Sequence, residues 1–189
     1  HRDLHSFPTR RSSDLFFPDF ETGVKAVREI AQAELPLSML RLSDPQETET
    51  TLQLSGEEKL VSIAKSGLNL VGQGEQRCML IYGLTGSRAE NHLADLKLSS
   101  IVRANKGLMV KFYLGKEWIK KRFLTPYLRN TLWDLGFALD TLETALPWDR
   151  LEKGRKDILK AIGTGLEDQN ETVLVFSHVS HVYTNGGSM

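Results

Sequence analysis

The chain has 189 residues, with 24 Lys+Arg against 24 Asp+Glu and a net charge of zero. That length allows one globular domain with a real core, and that balance argues against a polyanion partner, because nucleic-acid binders concentrate basic charge. No apolar run approaches the roughly 20 residues that span a bilayer, and Cys78, the single cysteine, excludes an internal disulfide and favours a reducing compartment, the cytoplasm.

The opening stretch His5–Leu15 shows no helix or strand period and is interrupted by Arg10, Arg11, Ser12 and Ser13. It resembles a translated sequencing adapter. Residues 1–15 are therefore expected to be a non-native, disordered tail, and residues 16–189 the folded part of a chain truncated at both ends. From Asp19 to Leu35, the residues Phe20, Val24, Val27, Ala31 and Leu35 recur at helical spacing. Pro36 follows, where the helix cannot continue. Leu37–Leu42 reads as a strand. Ser43-Asp44-Pro45 starts a turn and a short helix rich in Glu and Thr, and Gly56–Val71 is a weaker helical stretch.

Gly72-Gln73-Gly74 opens a turn before Cys78–Tyr82, a buried strand that Gly83 and Gly86 should end. That turn lacks the strand, glycine-rich loop and helix context of a phosphate loop. Ser87–Lys106 predicts a long amphipathic helix with Leu93, Leu96, Ser100 and Ala104 on one stripe, stopped at Gly107. Leu108–Leu114 reads as a strand and Trp118–Phe123 as helix, with Lys116, Lys120, Lys121 and Arg122 on a solvated face. Thr125 and Pro126 suit the N-cap and first turn of a further helix. Phe137–Ala145 reads as a strand, Pro147 begins a helix through Ile162, and Glu171–Tyr183 alternates like a strand. Asn170-Glu171-Thr172 fits a glycosylation sequon, a triplet common by chance. Strands separated by helices fit either a parallel α/β sheet or a split α+β arrangement, and periodicity does not choose.

Three motifs stand in order in the second half: Arg122-Phe-Leu-Thr-Pro-Tyr-Leu-Arg129; Asp140-Thr-Leu-Glu-Thr-Ala145 with Pro147-Trp148; and His178-Val-Ser-His-Val-Tyr183 with Gly186-Gly187. Together with Leu35-Pro-Leu-Ser-Met-Leu-Arg-Leu-Ser-Asp-Pro45 they resemble the C-terminal cap domain of FAD-linked oxidases, in the vanillyl-alcohol-oxidase-type flavoprotein superfamily. The alkylglycerone-phosphate synthase branch is similar throughout. The resemblance implies an α+β fold, a ferredoxin-like antiparallel sheet with helices packed on one face. It implies FAD, bound mainly by a separate N-terminal domain that would be this domain's partner. The flavin would either accept a hydride or act as a covalent scaffold for exchanging an acyl for an alkyl chain. The cap contributes positioning and electrostatics, so the chain alone is expected to be inactive.

By the same resemblance Arg129 binds the anionic group of a small substrate, phosphate or carboxylate. The planar guanidinium suits that task, and a surface ion pair with Asp134 or Glu143 is the alternative. His178, His181, Tyr183 and Glu143 are candidate pocket-lining residues, with structural histidines and a core tyrosine as alternatives. His178 and His181 lie three apart in an expected strand and should face opposite ways, which opposes a metal site. The same spacing separates Asp140 from Glu143 and opposes a paired acid/base role. The catalytic tyrosine and histidines of the synthase branch would fall beyond Met189, so no catalytic residue is assigned. A stand-alone ferredoxin-like binding or regulatory module without flavin is the rival reading.

Overall fold

A computed structural model describes residues 11–54, 66–69, 71–110, 125–169 and 171–189, apart from the side chains of 11–14 and 125–129. The elements are β1 (Arg11–Phe17), α1 (Phe20–Gln32), β2 (Leu37–Ser43), α2 (Pro45–Gln53), β3 (Cys78–Leu84), α3 (Arg88–Ala104), β4 (Leu108–Val110) and α4 (Thr125–Asp134). There follow β5 (Ala145–Pro147), α5 (Trp148–Glu167), β6 (His178–Val179), β7 (His181–Val182) and β8 (Gly186–Ser188). Among the described residues the strands form two sheets, one ordered β4-β1-β3-β2-β6 and one ordered β5-β8-β7. Every pairing is antiparallel. The order β4-β1-β3-β2, with α1 and α3 as crossovers, is the ferredoxin-like split arrangement. This settles the choice that periodicity left open.

Local chemistry starts the helices where the sequence places them. Asp19 Oδ1 accepts from Thr22 N at 2.7 Å, and Asp44 Oδ1 from Glu47 N at 2.8 Å. Ser87 and Glu90 close a reciprocal capping box on α3. The core lies between the five-stranded sheet and α1, α3 and the start of α5. Leu15, Phe17, Leu42, Leu80 and Tyr82 meet Val27, Ile30, Leu98 and Leu151 there, all fully buried. On the other face Phe16, Met79 and Ile81 are covered by Leu52 of α2 and by Leu68.

The structure corrects several expectations. Residues 11–15 are not a disordered tail: Arg11–Phe17 is a central strand paired to β3 from Arg11↔Leu84 to Phe17↔Cys78, with Leu15 fully buried. That pairing runs through the main chain, which the side-chain pattern of 11–14 does not announce. Gly83 lies inside β3 rather than ending it. A Cβ there would sit 2.6 Å from Ser38 Oγ, so glycine permits the close approach of β2 at its register shift between Leu37 and Met39.

Helix α3 is rotated from the expected stripe. Asn91, Ala94, Leu98, Ser99 and Val102 are buried, whereas Leu93 and Leu96 are 66% and 52% exposed. Tyr82 Oη donates to Asp95 at 2.6 Å and Asn91 Nδ2 to Gly86 O at 3.2 Å. These bonds fix the rotation, and small side chains let the helix approach the sheet. At its end Lys106, not Gly107, takes the left-handed conformation (φ 57°). Gly107 is needed for room instead, since a Cβ would lie 2.6 Å from Phe17 Cε1.

Two predicted strands are mostly irregular. Residues 137–143 have no strand partner among the described residues, and pairing starts only where Thr144 exchanges backbone hydrogen bonds with Met189 and the strand β5 begins at Ala145. Residues 171–177 are likewise irregular, and the rest splits into β6 and β7 around Ser180. The helix expected at 118–123, its basic run, residues 111–114 of the expected strand and most of Gly56–Val71 lie outside the described residues.

Candidate functional site

Two polar clusters flank the segment His178–Ser188. The first joins β2, α2 and β6. His178 Nδ1 lies 2.9 Å from Arg41 Nη2 and 3.3 Å from Glu47 Oε1, and Arg41 Nη2 also pairs with Glu47 Oε1. Burial by itself would raise the Glu47 carboxyl. The hydrogen bond from His178 and the charge of Arg41 outweigh it and hold the group below its ordinary value of 4.5. A depressed carboxyl pKa contributes stability that is complete above the unfolded value and is lost as pH falls toward the folded one. Urea midpoints of the chain should therefore fall as pH drops below about 4.5, and Glu47→Gln should flatten that dependence. An unchanged pH slope in the variant would show that Glu47 does not carry it.

Beside this lies a structural knot. Asp44 Oδ2 accepts from Arg155 Nη2 at 2.9 Å, from Ser177 N at 2.8 Å and from Ser177 Oγ at 3.0 Å. Ser177 O in turn accepts from Asp44 N at 2.9 Å. The guanidinium of Arg155 stacks over Phe20, 4.2 Å from the ring centroid. This knot anchors the irregular residues before β6 to α2 and α5.

The second cluster belongs to the small sheet, where β8 lies between β5 and β7. Pro147 pairs with Gly186, and Val182 with Gly187. Thr144 and Met189 exchange backbone hydrogen bonds at 3.0 and 2.9 Å. Glu143 Oε1 accepts from Ser188 Oγ at 2.6 Å and stands 3.5 Å from His181 Nδ1. Ser180 Oγ is 3.3 Å from the same nitrogen. Trp148 Nε1 donates to Thr184 O at 3.1 Å, closing the sheet onto α5.

The candidate residues thus separate. Glu143 and His181 come together. His178 belongs to the other sheet and to Arg41 and Glu47, so the two histidines do not converge. Tyr183 is 56% exposed, which excludes the core alternative. Asp140 turns Oδ1 to Thr141 N at 2.8 Å and does not join Glu143. Arg129 lies on α4, and its side chain is outside the described residues. The sequence reading missed Arg41, Glu47, Asp44 and Arg155. A charged residue inside the apolar strand Leu37–Ser43 was a usable signal for Arg41, and Asp44-Pro-Gln-Glu47 has the capping-box spacing. Arg155 gave none.

Among the described residues no group of three His, Cys, Asp or Glu is placed to hold a metal ion, and no helix is long and apolar enough to cross a membrane. The Gly72–Gly74 turn is closed by Gln73 Nε2 donating to Lys106 O at 3.0 Å. One first-turn amide in each of α1, α2 and α3 is taken by the side chain of Asp19, Asp44 and Ser87 respectively.

Comparison with known proteins agrees with this architecture. The family described as FAD linked oxidases, C-terminal domain, matches residues 8–188. The chain is similar to the alkyldihydroxyacetonephosphate synthase of Dictyostelium discoideum, 27% identical over 177 residues that cover 90% of this chain and 29% of that protein. It is also similar to that of Trypanosoma brucei brucei, 21% identical over 188 residues, covering 94% of this chain and 30% of that protein. Solved structures of an alkyldihydroxyacetonephosphate synthase in two crystal forms superpose with TM-scores of 0.85 and 0.84 at 26% identity. They cover 97% of this chain and 35% of theirs. The chain therefore spans less than a third of the length of these curated relatives. Motifs, sheet order and family match point one way: the chain belongs to the FAD-linked oxidase C-terminal domain family, as the corresponding part of an alkylglycerone-phosphate synthase-like protein.

Proposed function

We propose that this domain is the substrate-facing cap of an FAD-dependent enzyme of the alkylglycerone-phosphate synthase type, acting on a small anionic substrate. The observation that carries the reading is the small sheet. It joins two of the motifs on which the family resemblance rests, Asp140–Trp148 and His178–Gly187, into one structure with Glu143, His181 and Ser188 in mutual contact. The third motif supplies Arg129 from α4. In this reading Arg129 holds the substrate's phosphate or carboxylate through its planar fork, and His181 and Tyr183, both exposed, border the same space. Glu143 orients His181 through Nδ1.

FAD, when bound, supplies the bond-making chemistry. In this reading it is held mainly by a separate domain, and the chain alone is inactive. Large apolar side chains support a cover of that kind: Trp133, Leu135, Phe137, Leu142 and Leu174 are all exposed. The single thiol of Cys78, free and buried, fits a reducing compartment such as the cytoplasm.

In the full-length enzyme that carries this domain, Arg129→Lys should raise KM for the anionic substrate roughly ten- to hundredfold, the value of a charge-assisted hydrogen bond, with a smaller change in kcat. Unaltered kinetics would remove Arg129 from the substrate site.

A further inference from the structure

We propose that Arg41, Glu47 and His178 form a proton-operated latch between strand β6 and helix α2, in which one histidine nitrogen exchanges an arginine partner for a carboxylate when the ring gains a proton. The geometry forces a choice. Nδ1 of His178 is 2.9 Å from Arg41 Nη2 and 3.3 Å from Glu47 Oε1. A guanidinium nitrogen only donates and a carboxylate only accepts, so a single ring nitrogen satisfies one of them at a time. In the neutral ring with the proton on Nε2, the Nδ1 lone pair accepts from Arg41. When a proton from solvent binds Nδ1, that bond breaks and an N–H···O bond to Glu47 forms. The added positive charge beside Arg41 drives the same exchange.

Glu47 is built to take the second donor. Its Oε1 already holds Arg41, while its Oε2 is buried with no hydrogen-bond partner. Oε1 is also the oxygen that faces Nδ1, and a carboxylate oxygen has two lone pairs, so it has the capacity to accept from both cations at once. The charged groups around the ring are Arg41 on β2, Glu47 on α2, and Asp44 and Arg155 of the adjoining knot. Asp44 and Arg155 are committed to each other and to Ser177, the residue before His178. The knot therefore fixes the main chain on one side while the latch acts on the ring.

The latch has leverage because β6 is short. Its register to β2 consists of Leu42↔Val179 and Ser43↔His178. Only Ser180 separates β6 from β7, where His181 meets Glu143. The exchange alters which of β2 and α2 holds this junction. It does not depend on the substrate reading, because it is a property of the chain without flavin or substrate.

The test is ring ¹⁵N spectroscopy of His178 in the full chain, with the signals assigned by their loss in His178→Gln. At pH 8 Nδ1 is expected in the unprotonated range and Nε2 in the protonated range. On acidification Nδ1 should gain its proton and the Glu47 and Thr48 backbone amides should shift in step. Arg41→Met removes the competing donor and should move the neutral ring to the Nδ1–H form. An Nδ1–H ring at pH 8 in the unaltered chain overturns the latch, as do α2 amides indifferent to the ring's proton. The measurements on the unaltered chain decide the matter even if Arg41→Met does not fold.

Discussion

Replacing Asp44 with alanine is expected to lower the unfolding free energy by about 3–5 kcal/mol, the cost of removing one partner from a buried ion pair. Its side chain is 1% exposed and that of Arg155 12%, so little water reaches either charge. Alanine would leave the guanidinium over Phe20 without its counter-ion and the Ser177 amide without its acceptor. It would also uncap α2 at Glu47 N. A loss of this size is a large part of the stability of an ordinary domain. Arg155→Met on top of Asp44→Ala should recover part of it, because no unpaired charge then remains buried. Thermal or urea unfolding followed by circular dichroism measures both. A change below about 1 kcal/mol for Asp44→Ala would mean that the knot contributes little, as exposed ion pairs do.

The second large effect is expected at Gly186. A Cβ there would lie 2.4 Å from Leu146 O, 3.1 Å from Leu146 C and 3.2 Å from Pro147 Cα. These are main-chain atoms of the paired strand β5 and cannot rotate aside. Gly186→Ala should therefore pry β5 from β8 and destabilise the domain by about 1–3 kcal/mol or more, the range for forced overpacking. Gly187 is the control. The three atoms nearest its Cβ would be side-chain atoms of Val179, Leu151 and Trp148, at 3.0, 3.2 and 3.3 Å, which can shift by tenths of an ångström. Hydrogen exchange separates the two. The amides of Tyr183 and Met189, bonded to Gly186 O and Thr144 O, should lose protection in Gly186→Ala and largely keep it in Gly187→Ala. Equal protection in both variants would show that close packing against β5 is not what requires glycine at 186. The substrate reading adds a consequence: in the full-length enzyme Gly186→Ala should impair activity through Glu143 and His181 without touching either residue.

What could be read in the sequence had short-range causes. Asp19, Asp44 and Ser87 each offer an oxygen to an amide three residues on, and Pro36 stops what precedes it. Helices α1, α2 and α5 and strands β2 and β3 follow from caps, periodicity and apolar runs within one window. The motif resemblance added the sheet type that periodicity left open. The failures arose where a segment takes its state from distant residues. Local composition made 137–143 look like a strand, and alternation did the same for 171–177. A strand exists only by pairing, and residues 171–177 are instead pinned by the Asp44 carboxylate, 133 residues from Ser177. Residues 11–14 show the reverse: a sequence with no strand pattern is held in the sheet by its main chain against β3.

The sequence by itself determined where most helices begin and end, which strands are apolar, and to which family the motifs belong, because those properties reside in neighbouring residues. Only the tertiary structure decided the rotation of α3, the division of the histidines between two sheets, and the joining of Arg41 with Glu47 and His178. Arg41 and His178 meet across 137 residues, and even contacts nearer in sequence, such as Tyr82 with Asp95 and Arg41 with Glu47, need strand and helix packed together. Hydrogen bonds and close packing are set by distance in space, which separation along the chain does not encode.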